Sequence, residues 1–474
     1  MVDREHQADA AFSDVQVAPS GRSDQLHAIY GLTPKVETAI LEALEDEDVT
    51  RIRMLMDPLH PADKADFIER IRAQDCKVLV RLLDTDFDPE ILAYLDEEAR
   101  ELVVDELSAE VFAASLPELD SDDVVTIAEE LEPEELDDAL AALPEKDRVL
   151  VEQSLSYPED SAGRMMQREM VVVPPFWTVG QTIDFLRQSG LDNDEFYLIM
   201  VTDPSGHPVG EVRLNRLLCS QRPRRISEIM DTDIRSIPVD MDQEEVALLF
   251  RRYGMVTSGV IDADGRLLGV ITIDDILDVI DEEAEEDLMA LAGVSDGSIR
   301  SSILDTFKGR AQWLFVNLLT AVLASVVIGL FDATIEKIVA LAILMPIVAS
   351  MGGNAGTQTV TVAVRAIAMR EFSPKLAVAF GIRELFVGGI NGILFAVLTA
   401  ALSFIWFGQP DIALVLGVAM FINIVVAALS GTLVPLMLVR LGTDPAIASS
   451  VFITTITDVV GFLVFLGLAA LYLL

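Results

Sequence analysis

Cysteine and histidine are nearly absent from this chain, whose 474 residues include two of the first and four of the second. Cys76 and Cys219 form no CxxC pair and the histidines have no zinc spacing, so neither a disulfide framework nor a zinc centre organises the fold. Two isolated thiols fit a reducing compartment. Base is scarce too: 34 Lys and Arg stand against 77 Asp and Glu, a net charge of −43. Such a surface repels phosphate backbones, which excludes nucleic acid and favours cations as partners. No signal peptide is expected, because Met1-Val2-Asp3-Arg4-Glu5 leads into polar sequence without an apolar core.

What is abundant is unevenly placed. Hydrophobic residues make up 51% of the chain, with a mean hydropathy of +0.41. Residues 1–311 nonetheless hold 70 of the acids and 28 of the bases, while the remainder carries seven acids and six bases. An acidic soluble half therefore precedes a nearly neutral membrane half.

Residues 1–33 are polar and read as a flexible tail. Over 34–158 the pattern is of short amphipathic helices, with apolar faces at Ile52/Leu55/Met56, Phe67/Ile68/Ile71 and Val78/Leu79/Leu82/Leu83. Helix starts are expected at Asp57-Pro58, Asp88-Pro89, Ser121-Asp122-Asp123 and Glu132-Pro133-Glu134. Stacked hairpins sharing one core, an all-α superhelix, satisfy this pattern. Its acids, Asp120, Asp122, Asp123, Glu129 and Glu130 among them, are most simply a solvated face. The sharper reading sets some of them against another acidic domain across bound cations.

From 159 to 283 the grammar changes to α/β. Strand, helix, strand, turn and strand occur twice at an interval of about sixty residues, with turns at Asp203-Pro204-Ser205-Gly206 and Asp262-Ala263-Asp264-Gly265. This internal repeat resembles a tandem pair of CBS modules. The second copy ends Gly269-Val270-Ile271-Thr272-Ile273-Asp274-Asp275, which matches the family's signature. The resemblance implies that Thr272 and Asp275 hold the ribose and phosphate of a nucleotide such as ATP. Arg213 replaces the threonine in the first copy. A purely structural, dimerising pair is the alternative.

Nine acids and no base occupy the fourteen residues Asp274 to Asp287. On a helix, Ile276, Ile280, Ala284, Leu288 and Leu291 form an apolar stripe, and Asp278, Asp281, Glu282, Glu285 and Glu286 gather opposite. Usually such a run is only solvated. Here it leads into a connecting, plug-like helix over 284–311, next to the membrane half, which favours gating by cation neutralisation. Asp275, Asp278, Asp281, Glu282, Glu285 and Glu286 are the sensor candidates, and all-oxygen ligands point to Mg²⁺ or Ca²⁺.

Five spans fit residues 312–474, at about 312–331, 337–368, 376–407, 412–439 and 446–474. With the soluble half in the cytoplasm, Lys308, Arg310, Arg365, Arg370, Lys375, Arg383 and Arg440 lie on that side and Lys337 alone lies outside. The N-terminus is then cytoplasmic and the C-terminus extracytoplasmic. The second span is too long for one straight crossing and contains Pro346 and Gly352-Gly353-Asn354-Ala355-Gly356-Thr357-Gln358. Gly352, Gly353, Asn354, Gly356 and Gln358 fit either close helix packing or, our preferred reading, a broken helix lining a wet path.

The last span carries one acid, Asp458, deep in its apolar run. A carboxylate there costs roughly 2.5–3.5 kcal/mol on insertion scales, so it needs a polar partner or water. Thr454 precedes it by four residues, Ser450 by eight and Thr455 by three, which puts oxygens on the face above it. An acid tied to a neighbouring helix is the plain alternative to an ion site. An intramembrane aspartyl protease would need a second deep carboxylate, and Glu384 sits near a cytoplasmic end.

Together the parts resemble the MgtE-type magnesium channels along nearly the whole chain. The matching pieces are the acidic helical domain, Tyr157-Pro158-Glu159-Asp160-Ser161-Ala162-Gly163 before the CBS pair, the acidic helix, the 352–358 motif, and Asp444-Pro445 followed by Thr457-Asp458 and Gly461. The resemblance implies a non-enzymatic homodimer in the inner membrane, with its pore on the twofold axis. It also implies cytosolic Mg²⁺ sites that close the pore when filled. Family members often carry Asn where this chain has Ser450. A proton- or sodium-coupled carrier of divalent cations is the rival, since one acid and a broken helix suit it too.

Overall fold

The computed structural model describes residues 31–131, 133–189, 196–294, 303–370, 372, 374–443 and 445–474. Nearly all of the tail expected at 1–33 lies outside the described residues. The chain forms two units, Met1–Ile280 and Asp281–Leu474.

The first unit starts with short helices, from Pro34–Glu45 to Glu145–Leu155. Local chemistry sets their ends. Thr33, Asp48, Asp96 and Ser108 accept from the backbone N–H three residues on, and Pro34, Pro61 and Pro133 open helices where a missing N–H costs nothing. Ser121 and Pro133 begin helices as expected. Asp57-Pro58 instead closes one, because a proline just past the C-cap cannot continue it. The anticipated apolar faces meet in a single core: Ile52, Phe67, Ile68 and Leu79 are wholly buried in it. Two of these helices matter below, α1 (Glu97–Glu106) and α2 (Ser121–Glu130).

The repeat is real at the level of registry. Strands β1 (Val172–Val173), β2 (Leu198–Thr202) and β3 (Pro208–Arg213) form one sheet, and β4 (Ile237–Pro238), β5 (Thr257–Ile261) and β6 (Leu267–Thr272) form the other. Each has a parallel first pair and an antiparallel second pair, with the same irregularity at Val201/Thr202 and Val260/Ile261. Gly206 and Gly265 occupy matching turns at φ 87° and 80°, a conformation that glycine adopts without strain. β6 runs directly into α3 (Ile273–Ala292), the acidic helix, and the division between units falls within it.

On α3 the acids Asp278, Asp281, Glu282, Glu285 and Glu286 are exposed, as the pattern required. The apolar stripe differs. Ala284 and Leu288 are exposed, and the fully buried positions are Ile276, Val279 and Ala290. A strict four-residue step drifts about 40° per interval around the axis, so a buried face has to mix steps of three and four.

Among its described residues the second unit contains five helices long and apolar enough to cross a membrane: α4 (Ile303–Gly329), α5 (Ala340–Ala368), α6 (Pro374–Phe407), α7 (Pro410–Arg440) and α8 (Pro445–Tyr472). α7 packs against α5, α6 and α8. The core joins Leu341, Leu344 and Val348 of α5 to Leu416 and Met420 of α7 and Phe465 of α8. α5 runs unbroken through Gly352–Gln358, with Pro346 inside it, so the expected break is not there. Its glycines serve contact instead. A Cβ on Gly356 would come within 2.3 Å of Ile453 on α8, and one on Gly431 of α7 would come within 3.0 Å of the Gly356 carbonyl. The fold is thus an all-α acidic domain, a CBS pair, an acidic helix and a five-helix membrane bundle.

Candidate cation sites

α2 begins in a cluster of acids. Carboxylate oxygens of Asp120, Asp122 and Asp123 lie within 4.8 Å of one another. Asp122 is 8% exposed, and its Oδ1 accepts no hydrogen bond from any described residue. A buried, unpaired acceptor costs about 1–3 kcal/mol, more when charged. Burial pushes the Asp122 carboxyl well above its ordinary range, and Asp275, Asp123 and Asp120 push it further. For Asp123 the same causes, burial and then Asp120 and Asp275, raise the value to about 7. Asp275 rises to about 6 through burial, although Thr272 opposes the shift by donating to it.

Tyr94 registers the same field. Burial raises its phenol first, and Glu90, Asp123, Asp274 and Asp278 add to the shift. The start of α3 thus acts electrostatically on the helical domain. The segment between the domains holds them in this arrangement. Gln167 donates to Asp120 at 2.9 Å, Ser121 Oγ to Glu169 at 2.7 Å, and the Arg168 backbone N–H to Ser121 Oγ at 2.8 Å. Arg164 pairs with Glu129. Asp122 and Asp123 are therefore not the solvated face that composition alone favoured. An all-oxygen donor set with a buried acceptor left over fits a hard divalent cation.

At the nucleotide signature, Thr272 Oγ1 donates to Asp275 Oδ2 at 2.6 Å. The two residues meet at the start of α3. Asp275 thus belongs to the signature and also adds to the field at Asp122 and Asp123.

In the membrane unit, Asp458 is partly exposed midway along α8. Thr457, Gly461, Phe462, Phe465 and Leu466 are buried on that helix, and Asp458, which shares a side with Phe462 and Phe465, is left partly exposed among them. Thr454 and Thr455 donate to the Val451 carbonyl at 3.0 and 2.7 Å. The side chain of Ser450 lies outside the described residues. The 352–358 motif divides by face: Gly352 and Gly356 are buried, Gly353 is partly exposed, and Asn354, Thr357 and Gln358 are exposed. Gly353 has Thr454 Cγ2 as its nearest neighbour, at 3.8 Å from a built Cβ.

Asn423 escaped the sequence reading. It is wholly buried on α7, and its Nδ2 donates to the Val348 carbonyl on α5 at 2.9 Å. A lone amide inside the apolar run around Ala419–Ala428 is the signal that marks it.

Oxygen donors gathered in a soluble unit, and one acid held mid-span among apolar helices, define a multi-pass membrane protein built to handle divalent cations. Comparison with known proteins gives the family. The model described as a divalent cation transporter, MgtE, matches residues 345–468, the MgtE intracellular N domain matches 59–160, and the CBS domain matches 226–282. The magnesium transporter MgtE of Thermus thermophilus is 30% identical over 93% of this chain and 99% of its own length. That of Bacillus subtilis is 28% identical over 92% and 96%. A crystal structure of the cytosolic domain of the Mg²⁺ channel MgtE in complex with ATP aligns with 51% of this chain and 99% of that one, at 30% identity and TM-score 0.48. The chain belongs to the MgtE family.

Proposed function

We propose that this chain is a homodimeric channel for Mg²⁺ influx across the inner membrane, closed by Mg²⁺ bound to its cytosolic acids. Its relatives are named magnesium transporters, not enzymes. The reading rests on one observation: Asp458, a carboxylate halfway along an apolar helix, stays partly exposed although Phe462 and Phe465 on its side of the helix are buried. A second copy related by a twofold axis would bring its own Asp458 to face the first across water. Mg²⁺ sheds its waters reluctantly and demands octahedral oxygen at about 2.0–2.1 Å. The two carboxylates then hold the hydrated ion through its waters, with Thr454 accepting from them and Ser450 above. Asn354 and Gln358, exposed on α5, extend that polar lining.

The domains divide the work as 34–158, 159–283, 284–311 and 312–474. A divalent cation at Asp122, Asp123 and Asp275 supplies the positive charge that the cluster lacks. Without it these carboxylates repel one another and the start of α3. With it they hold the helical domain and the CBS pair together. Asp278, Asp281, Glu282, Glu285 and Glu286 extend the same response along α3 toward the connecting segment, and a state bound more tightly by the ion becomes the populated one. ATP at Thr272 and Asp275 would bias the same equilibrium. The N-terminus is cytoplasmic and the C-terminus extracytoplasmic.

Flux into liposomes tests the transport class. Mg²⁺ entry that persists without a proton or sodium gradient supports a channel, and strict dependence on either gradient supports coupled exchange.

A further inference from the structure

Asn423 sits in a slot that two missing side chains create. A Cβ on Gly352 of α5 would lie 2.3 Å from its Nδ2, and one on Gly461 of α8 would lie 2.8 Å from the same atom. The amide donates to the Val348 carbonyl on α5, while its Oδ1, buried and accepting no hydrogen bond from described residues, is 3.2 Å from the Gly461 position. Thr457, wholly buried on α8, closes the slot, 3.1 Å from a Cβ built on Gly352. One polar side chain on α7 thus fixes the approach of two other helices at a single level.

That level is where α8 presents its acid. Asp458 follows Thr457 directly and precedes Gly461 by three residues. From these contacts we infer that Asn423 is a positioning residue for transport: it sets the rotation of α8 against α5 and so the place of the Asp458 carboxylate. A turn of α8 by about 20° swings a carboxylate roughly 5 Å from the helix axis by about 2 Å. A shift of that size is about the H···O length of a hydrogen bond from the ion's water shell, so a site that selects by geometry loses its match while one that merely binds charge does not. Packing alone does not call for an amide. An apolar side chain of the same shape would fill the slot without an unpaired acceptor. This inference rests on Asp458 as the pore acid.

The test uses the full-length protein in liposomes, with Mg²⁺ and Ca²⁺ entry, dimer content and melting temperature measured for each variant. Asn423→Leu keeps assembly and melting temperature, lowers Mg²⁺ entry roughly tenfold and shifts the Mg²⁺ to Ca²⁺ ratio. Gly461→Ala leaves the amide in place but crowds it, and shifts that ratio in the same direction. A variant that assembles and melts differently yet keeps the wild-type rate and ratio shows Asn423 to be packing only and overturns the inference. Asp458→Ala in the same liposomes separates the two readings. If it conducts normally, the pore site itself is wrong. If it is silent while Asn423→Leu matches wild type in rate and ratio, only the positioning role falls.

Discussion

Arg100 donates to Glu130 through Nη1 at 2.6 Å, and its Nε and Nη2 go to the carbonyls of Leu92 and Leu95. The guanidinium lies close enough to ease the charge on Asp123 electrostatically, but its hydrogen bonds are directed elsewhere. α1 thereby secures the end of α2, while the start of α2 carries more negative charge than the nearby basic side chains offset. A cation from solution is the natural complement.

Replacing Asp122 and Asp275 together by Asn removes two charges and two ligands at once. The helical domain and CBS pair then stay associated without Mg²⁺, and the Mg²⁺-dependent part of their protection from protease largely disappears. Limited proteolysis across a Mg²⁺ titration reads this directly. A wild-type titration curve would remove the cluster from the sensor.

In metal-free buffer the same junction depends on pH with a defined sign. Asp123 is raised to about 7 and Asp275 to about 6, chiefly by burial. Acids raised on docking favour the docked state fully below the ordinary carboxylate range, at about pH 4, and lose that contribution as pH rises toward 7. Protease protection in EDTA is therefore stronger at pH 5.5 than at pH 8, and added Mg²⁺ restores it at pH 8. A junction that tightens as pH rises would contradict these shifts.

Neutralising Asp278, Asp281, Glu282, Glu285 and Glu286 together leaves the helix intact, because each is exposed and like charges at i,i+4 only weaken it by a few tenths of a kcal/mol. Circular dichroism should show unchanged helicity. Mg²⁺ protection of the cytosolic half weakens, and unchanged protection would place the sensor elsewhere.

Much of this was legible in the residues because it is periodic. The CBS repeat, the five spans and the apolar faces at Ile52, Phe67 and Leu79 all follow from spacing, and so does the exposed acidic face of α3. What could not be read depends on which partner a face meets. Asp122 has the composition of a surface acid, yet it is buried, its neighbours Asp120 and Ser121 accept from Gln167 and Arg168, and Asp275 acts on its charge. Gly352 and Gly356 suit a break as well as a close contact, and Ile453, Asn423 and Thr457 on neighbouring helices decide for contact. Asn423 itself repeats nothing, and its meaning comes from two glycines far away in sequence.

Mg²⁺ entry into liposomes carrying Asp458→Ala, beside wild type at equal dimer content, addresses the central claim. The variant should assemble normally and admit no Mg²⁺ above empty liposomes. Entry at the wild-type rate would mean that the ion crosses without that carboxylate.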